Sequence, residues 1–159
     1  MSRTAHHFSR QAKALLYGLL LTRFGSGSLW FILHAWFITE GEFGPTHSPW
    51  EQLLLQLHGA SAFLMMITFG WALGRHVPVG WRTQRSRKSG TLPVATLCLM
   101  VISGYGLYYI GDEQWHEITV WIHLVCGFSL PMILGVHIWI AIQRRRLLTD
   151  SSAAFISAL

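Results

Sequence analysis

Four stretches of this chain are apolar with few interruptions, at about residues 14–38, 51–74, 92–110 and 117–142. Each approaches or exceeds the roughly 20 residues that an α-helix needs to cross the hydrocarbon of a bilayer. The connections between them are polar and short. The pattern predicts an all-α fold, an integral membrane four-helix bundle in which short connections join neighbouring helices. The membrane domain covers 14–142, between a cytoplasmic N-terminal tail (1–13) and a cytoplasmic C-terminal tail (143–159).

Composition supports this reading. Of the 159 residues, 52% are hydrophobic and 12% charged, about half the charge share of an ordinary soluble domain. The placement of charge then sets orientation. Eleven of the twelve basic residues lie at the N-terminus (Arg3, Arg10, Lys13), in the middle connection (Arg75, Arg82, Arg85, Arg87, Lys88) and after the fourth span (Arg144, Arg145, Arg146). Six of the seven acids lie in the other two connections (Glu40, Glu42, Glu51, Asp112, Glu113, Glu117). Positive residues mark the cytoplasmic side, so both termini are expected inside. The net charge of +5 then reflects topology, and nucleic acid is not an expected partner. Cys98 and Cys126 fall within apolar spans without CxxC spacing and read as small buried side chains. The first apolar run outlasts a signal peptide and has no convincing small-x-small cleavage site.

The two halves repeat a plan. Trp50 precedes His58 by 8 residues, Trp115 precedes His123 by 8, and the two intervals are offset by 65. An aromatic follows each histidine five residues later, Phe63 and Phe128. In the preceding spans, Ser26-Gly27 resembles Ser103-Gly104 at an offset of 77, the first outer loop being 12 residues longer than the second. Each half therefore reads as helix, outer loop, helix, making two pseudo-repeated helix pairs. The second and fourth spans run in the same direction, with His58 and His123 at equivalent depths. Histidine within a membrane span is costly and reads by default as functional. Two imidazoles at one depth on parallel helices suit bis-histidine ligation of a haem iron.

His137 follows His123 by 14 residues, about 21 Å along a helix and about 40° around it. That separation suits two stacked planar cofactors and is too long for one metal ion. The repeat equivalent of His137 in the second span is Ala72, which cannot ligate. His76 lies 18 residues after His58, on the same face and about 6 Å deeper than the ideal counterpart. It is the expected partner of His137, with an interfacial histidine beside Arg75 as the plain alternative. His34, near the outer end of the first span, is the rival ligand. His6, His7, His47 and His116 read as solvated, and Met65, Met66 and Met132 as core filler in preference to axial thioethers.

Gly25, Gly27, Gly59, Gly104, Gly106 and Gly127 each weaken a helix and need a reason. Two readings stand side by side: close helix packing, and the approach of a macrocycle face to the backbone. Arg23, the single basic residue inside a span, either neutralises a haem propionate or quinone oxygen, or snorkels to the interface.

These residues resemble the small bacterial membrane b-type cytochromes: four spans, histidines 14 apart on the last, and a matching histidine on the second. The group includes quinone-linked di-haem cytochromes and the cytochrome b subunits of formate dehydrogenase and nickel–iron hydrogenase. The resemblance covers about 14–142. It implies His58 and His123 as ligands of an outer haem b and His137 as one ligand of an inner haem b. In the small di-haem family the other inner ligand often sits near the inner start of the first span, where this chain has only His6 and His7. The implied function is electron transfer across a bacterial inner (cytoplasmic) membrane, between a quinone pool or redox partner and another oxidoreductase subunit or c-type cytochrome. A quinone- or oxidant-reactive haem enzyme is the second expectation, and a haem-free metal transporter or assembly factor the third. No CxxCH is present, so covalently attached haem is not expected.

Overall fold

A computed structural model of the chain describes residues 9–42, 44–82 and 87–157. It contains four long helices, α1 (Arg10–Trp36), α2 (Trp50–Arg82), α3 (Arg87–Tyr109) and α4 (Glu113–Ser157), with a short hairpin of β1 (Thr39–Gly41) and β2 (Gly44–Thr46) between the first two. Local chemistry accounts for the helix starts. Ser9 Oγ accepts from Ala12 N at 3.1 Å, and Asp112 Oδ1 accepts from Trp115 N at 3.0 Å. Both satisfy amide donors that the first turn cannot pair internally. Glu51 and Glu113 occupy the first turns of α2 and α4, where a carboxylate meets the positive end of the helix dipole.

All four expected spans are helical. The inner ends run further than expected: α2 reaches Arg82, and α4 continues through Arg144–Arg146 to Ser157. Arginine, leucine and alanine are good helix formers, and neither glycine nor proline intervenes after Arg144 to stop the fourth helix. The extra length of the first outer loop holds the hairpin. Its strands pair Thr39 with Thr46 and Gly41 with Gly44, and the threonine hydroxyls meet at 3.1 Å. Gly44 takes φ +111°, a conformation that side-chain-bearing residues rarely adopt.

The chain divides into two compact units, Met1–His76 and Val77–Leu159, so the four helices pack as two pairs. α3 and α4 approach closely, backbone to backbone, whereas α1 and α2 make few such approaches among the described residues. Burial is inverted relative to a soluble protein. Among the described residues the buried apolar ones are Leu19, Met65, Met100 and Leu130, whereas Arg23, Ser26, Glu51, Ser61, Thr96, Ser103 and Thr119 are buried although polar or charged. Leucine, isoleucine, tryptophan and phenylalanine side chains cover the outside. Helices that hide hydroxyls and display aliphatic side chains have lipid as their solvent, because hydroxyls and small residues hold membrane helices together. Arg10–Trp36, Trp50–Gly74, Ser89–Tyr109 and Glu113–Arg144 are each long and apolar enough to span a membrane. The chain is a multi-pass membrane protein.

Candidate functional site

In the first pair, His58 turns its ring toward α1. Its Nδ1 lies 3.0 Å from the Arg23 carbonyl and 3.4 Å from Ser26 Oγ. A carbonyl only accepts, so Nδ1 carries the proton and donates it. Ser26 donates its hydroxyl to the same carbonyl at 3.2 Å. Gly27 makes room for the ring: a Cβ at this position would stand 2.9 Å from His58 Cε1, well inside van der Waals contact. Ser61, one turn along α2, donates to the His58 carbonyl at 2.8 Å.

The second pair repeats the arrangement with one substitution of acceptor. Ser103 donates to Leu99 O at 2.7 Å, leaving its oxygen to accept from His123 Nδ1 at 2.9 Å. Gly104 lies beside the ring, a Cβ there falling 3.4 Å from His123 Cε1. At the inner end the plan occurs again. His137 Nδ1 donates to Ser89 O at 3.0 Å, and a Cβ on Gly90 would sit 3.6 Å from His137 Cε1. Pro93, within α3, supplies a reason for this bond. In a regular helix the Ser89 carbonyl would accept from the amide of residue 93, and proline has no N–H to give. The imidazole supplies a donor to that carbonyl.

His58 and His137 therefore share one chemical state, and His123 shares it with the Ser103 proton given to Leu99 O. Nδ1–H is committed to a group on the helix preceding the histidine's own, and in the neutral ring the lone pair is on Nε2. Metal-ligating histidines are held in this way, the second nitrogen donating to a carbonyl or hydroxyl that fixes the tautomer and raises ligand basicity. The donor set fits an iron-porphyrin axial ligand. A second observation concerns Arg23, which is buried and whose Nε has no hydrogen-bond partner among the described residues. Its side chain thus faces inward, with donor capacity left for an anionic or carbonyl group.

The first pair lacks an inner counterpart to His137. Offsets of 77 and 65 map Ser89 and His137 onto Ala12 and Ala72. These two alanines help to line a half-open apolar groove of about 350 Å³, together with Leu15, Leu16, Ile67, Thr68 and Trp71. Where the second pair holds a hydrogen-bonded histidine, the first holds open apolar space.

The remaining expected residues fall as follows. Gly127 faces the Met100 methyl, which a Cβ would meet at 3.6 Å, so helix packing accounts for it. Gly106 packs against Thr119 and Ile110, whereas Gly25 and Gly59 face open space. Met65 is buried and its sulfur accepts from Thr68 Oγ1 at 3.5 Å. Met66 and Met132 are exposed. His76 lies in α2, with its side chain outside the described ones, and His6 and His7 lie outside the described residues altogether. His34 is held by Glu51, its Nδ1 3.0 Å from Oε2, and stacks on Trp30. His47, expected to be merely solvated, stacks on His34 at 4.5 Å. Ser89-Gly90 is the pair that sequence reasoning missed. Its signal was present: it precedes Ser103-Gly104 by 14 residues, the interval that separates His123 from His137.

No protein-family profile, curated sequence or solved structure matches this chain.

Proposed function

We propose that this protein is a b-type cytochrome that carries electrons across a bacterial inner membrane. The observation that carries the proposal is the common state of His58, His123 and His137, each giving Nδ1–H to the preceding helix beside a serine–glycine pair. A core histidine serving only to fill space has no need of a Gly next to its ring, and at Gly27 a Cβ would meet the His58 ring at 2.9 Å. Pairing His58 with His123 on an outer haem rests on the sequence repeat. His137 would hold a second haem, with His76, one turn beyond Ala72, as its expected partner. Both termini are cytoplasmic in this reading, as the charge distribution supports.

Haem b, when bound, supplies a one-electron ferric–ferrous couple. The chain's contribution is to fix ring orientation and basicity through the Nδ1–H bonds and to tune the potential through burial. Arg23 places a cationic group beside the His58 site, where it would stabilise a carboxylate such as a propionate. Gly27 and Gly104 keep the backbone low beside their rings. Electrons pass between a quinone pool or other donor and a further oxidoreductase subunit or c-type cytochrome.

Haem stoichiometry in single variants tests the assignment. Two b haems per chain are expected from the two histidine levels. His123→Ala and His137→Ala should each remove a different haem, His58→Ala should remove the same one as His123→Ala, and His34→Ala should remove neither. Haem loss in His34→Ala with His76→Ala unaffected overturns the ligand assignment. A purified protein without a reduced-minus-oxidised b-type spectrum overturns the function.

A further inference from the structure

The outer end of the first helix pair carries a cluster of donors that electron transfer leaves unused. His34 sits in the last turn of α1, Glu51 in the first turn of α2, and His47 directly after β2. One ligand atom from each lies within 4.8 Å of the others. His34 Nδ1 is 3.0 Å from Glu51 Oε2, and His47 Nδ1 is 3.4 Å from Oε1. The two imidazoles lie nearly parallel at 9°, and Trp30 continues the stack with its centroid 4.7 Å from that of His34.

We propose that His34, His47 and Glu51 form a binding site for a divalent first-row transition cation such as zinc, open to the outer aqueous side. Glu51 is only 8% exposed, and its Oε1 has no hydrogen-bond partner among the described residues. Its ion-pair contact with His47 Nδ1, at 3.4 Å, lies outside hydrogen-bond geometry. A buried carboxylate oxygen so weakly satisfied is costly, and a cation removes that cost directly. Two imidazoles and one carboxylate are borderline donors that favour zinc and its neighbours over magnesium or calcium, which take all-oxygen sets. Tetrahedral zinc with bonds of about 2.0–2.1 Å places its ligands about 3.3 Å apart. Each Nδ1 stands 3.0 or 3.4 Å from one carboxylate oxygen, and the three ligand atoms lie within 4.8 Å of one another, so a bound metal would draw the cluster in. Three protein ligands leave a fourth position for water or a small anion.

The hairpin explains how the site is assembled. It occupies the loop segment that the second half of the chain lacks, and its second strand delivers His47 four residues ahead of Glu51, one helical turn away. Both histidine rings are exposed whereas the carboxylate is buried, so a cation arriving from water meets imidazole first. A hydrogen-bonded clasp at the head of α2 is the simpler alternative. It would need only His34, which already satisfies Oε2, and leaves the approach of His47 Nδ1 to Oε1 at 3.4 Å without hydrogen-bond geometry.

Zinc titration of the full-length protein in detergent, after treatment with a chelator, tests the site by calorimetry with bound zinc counted by elemental analysis. One equivalent is expected to bind. His47→Gln and Glu51→Gln should each weaken that binding by about 100-fold or more, since even outer partners of a metal site carry about 10–100-fold in affinity. His116→Ala, at the outer end of the second pair, should leave it unchanged. His47 lies in an exposed connection, so its variant keeps both helices, and unchanged far-UV dichroism verifies this. The absence of zinc binding, or binding undiminished in His47→Gln and Glu51→Gln, overturns the proposal. The haem ligands are separate, so zinc binding should persist in His123→Ala.

Discussion

The two helix pairs solve the same packing problem with different tolerances. In the second, α3 and α4 approach closely, and two serine–glycine pairs, Ser89-Gly90 and Ser103-Gly104, receive His137 and His123. In the first, α1 and α2 approach less closely, one serine–glycine pair receives His58, and the second level is a half-open apolar groove lined by Ala12 and Ala72. The acceptors differ as well. His58 donates chiefly to a backbone carbonyl, whereas His123 depends on a side-chain hydroxyl. A backbone acceptor survives mutation of any side chain, and a hydroxyl does not. The same sequence motif therefore has different vulnerabilities in the two halves.

The largest difference is expected from the glycines. Gly27→Ala would push a methyl to 2.9 Å from His58 Cε1, while Gly104→Ala and Gly90→Ala leave 3.4 and 3.6 Å to their histidines. Overpacking of this kind costs about 1–3 kcal/mol, so Gly27→Ala should lower unfolding stability in detergent and displace His58. Gly90→Ala should be neutral, or stabilising by about 0.5–1 kcal/mol, because alanine favours the helix. Equal effects at the three positions would show that the rings do not rest on the glycines.

Ser103→Ala against Ser26→Ala comes next. Loss of the Ser103 hydroxyl removes the acceptor of His123 Nδ1–H and should cost about 1–3 kcal/mol. Ser26→Ala leaves the Arg23 carbonyl in place, so a loss of at most about 1 kcal/mol is expected. Thermal or SDS unfolding of the two variants side by side reads the difference, and the reverse order would contradict the assigned proton positions.

The smallest effect concerns the groove. Ala72→Leu should fill apolar space and raise stability by about 0.5–2 kcal/mol, whereas His137→Leu, its counterpart in the second pair, should not. A destabilised Ala72→Leu would mean that the space is already occupied in the membrane.

Much of this was legible in the residues. The four spans followed from apolar length, because the bilayer thickness sets a minimum that soluble helices rarely meet. His58, His123 and His137 stood out because imidazole in hydrocarbon demands a reason, and Ser26-Gly27 and Ser103-Gly104 surfaced as a repeat. Ser89-Gly90 escaped notice because the inner half of its repeat is broken: Ala12-Lys13 stands where Ser-Gly would have revealed it. The hairpin escaped as well, since three-residue strands carry too short a pattern to separate from loop.

The sequence by itself determined the number of spans, the charge asymmetry across them and the histidines that sit at membrane depth. These depend on length, composition and position along a helix, which are properties of the chain taken one segment at a time. Only the tertiary structure decided which groups the Nδ1 atoms of His58, His123 and His137 meet, that Pro93 leaves a carbonyl for His137, that Arg23 is buried, and that His34, His47 and Glu51 meet. Each of these depends on a distance of about 3–5 Å between groups up to 48 residues apart. Such a distance is set by how two helices lie together, and no periodicity along either one contains it.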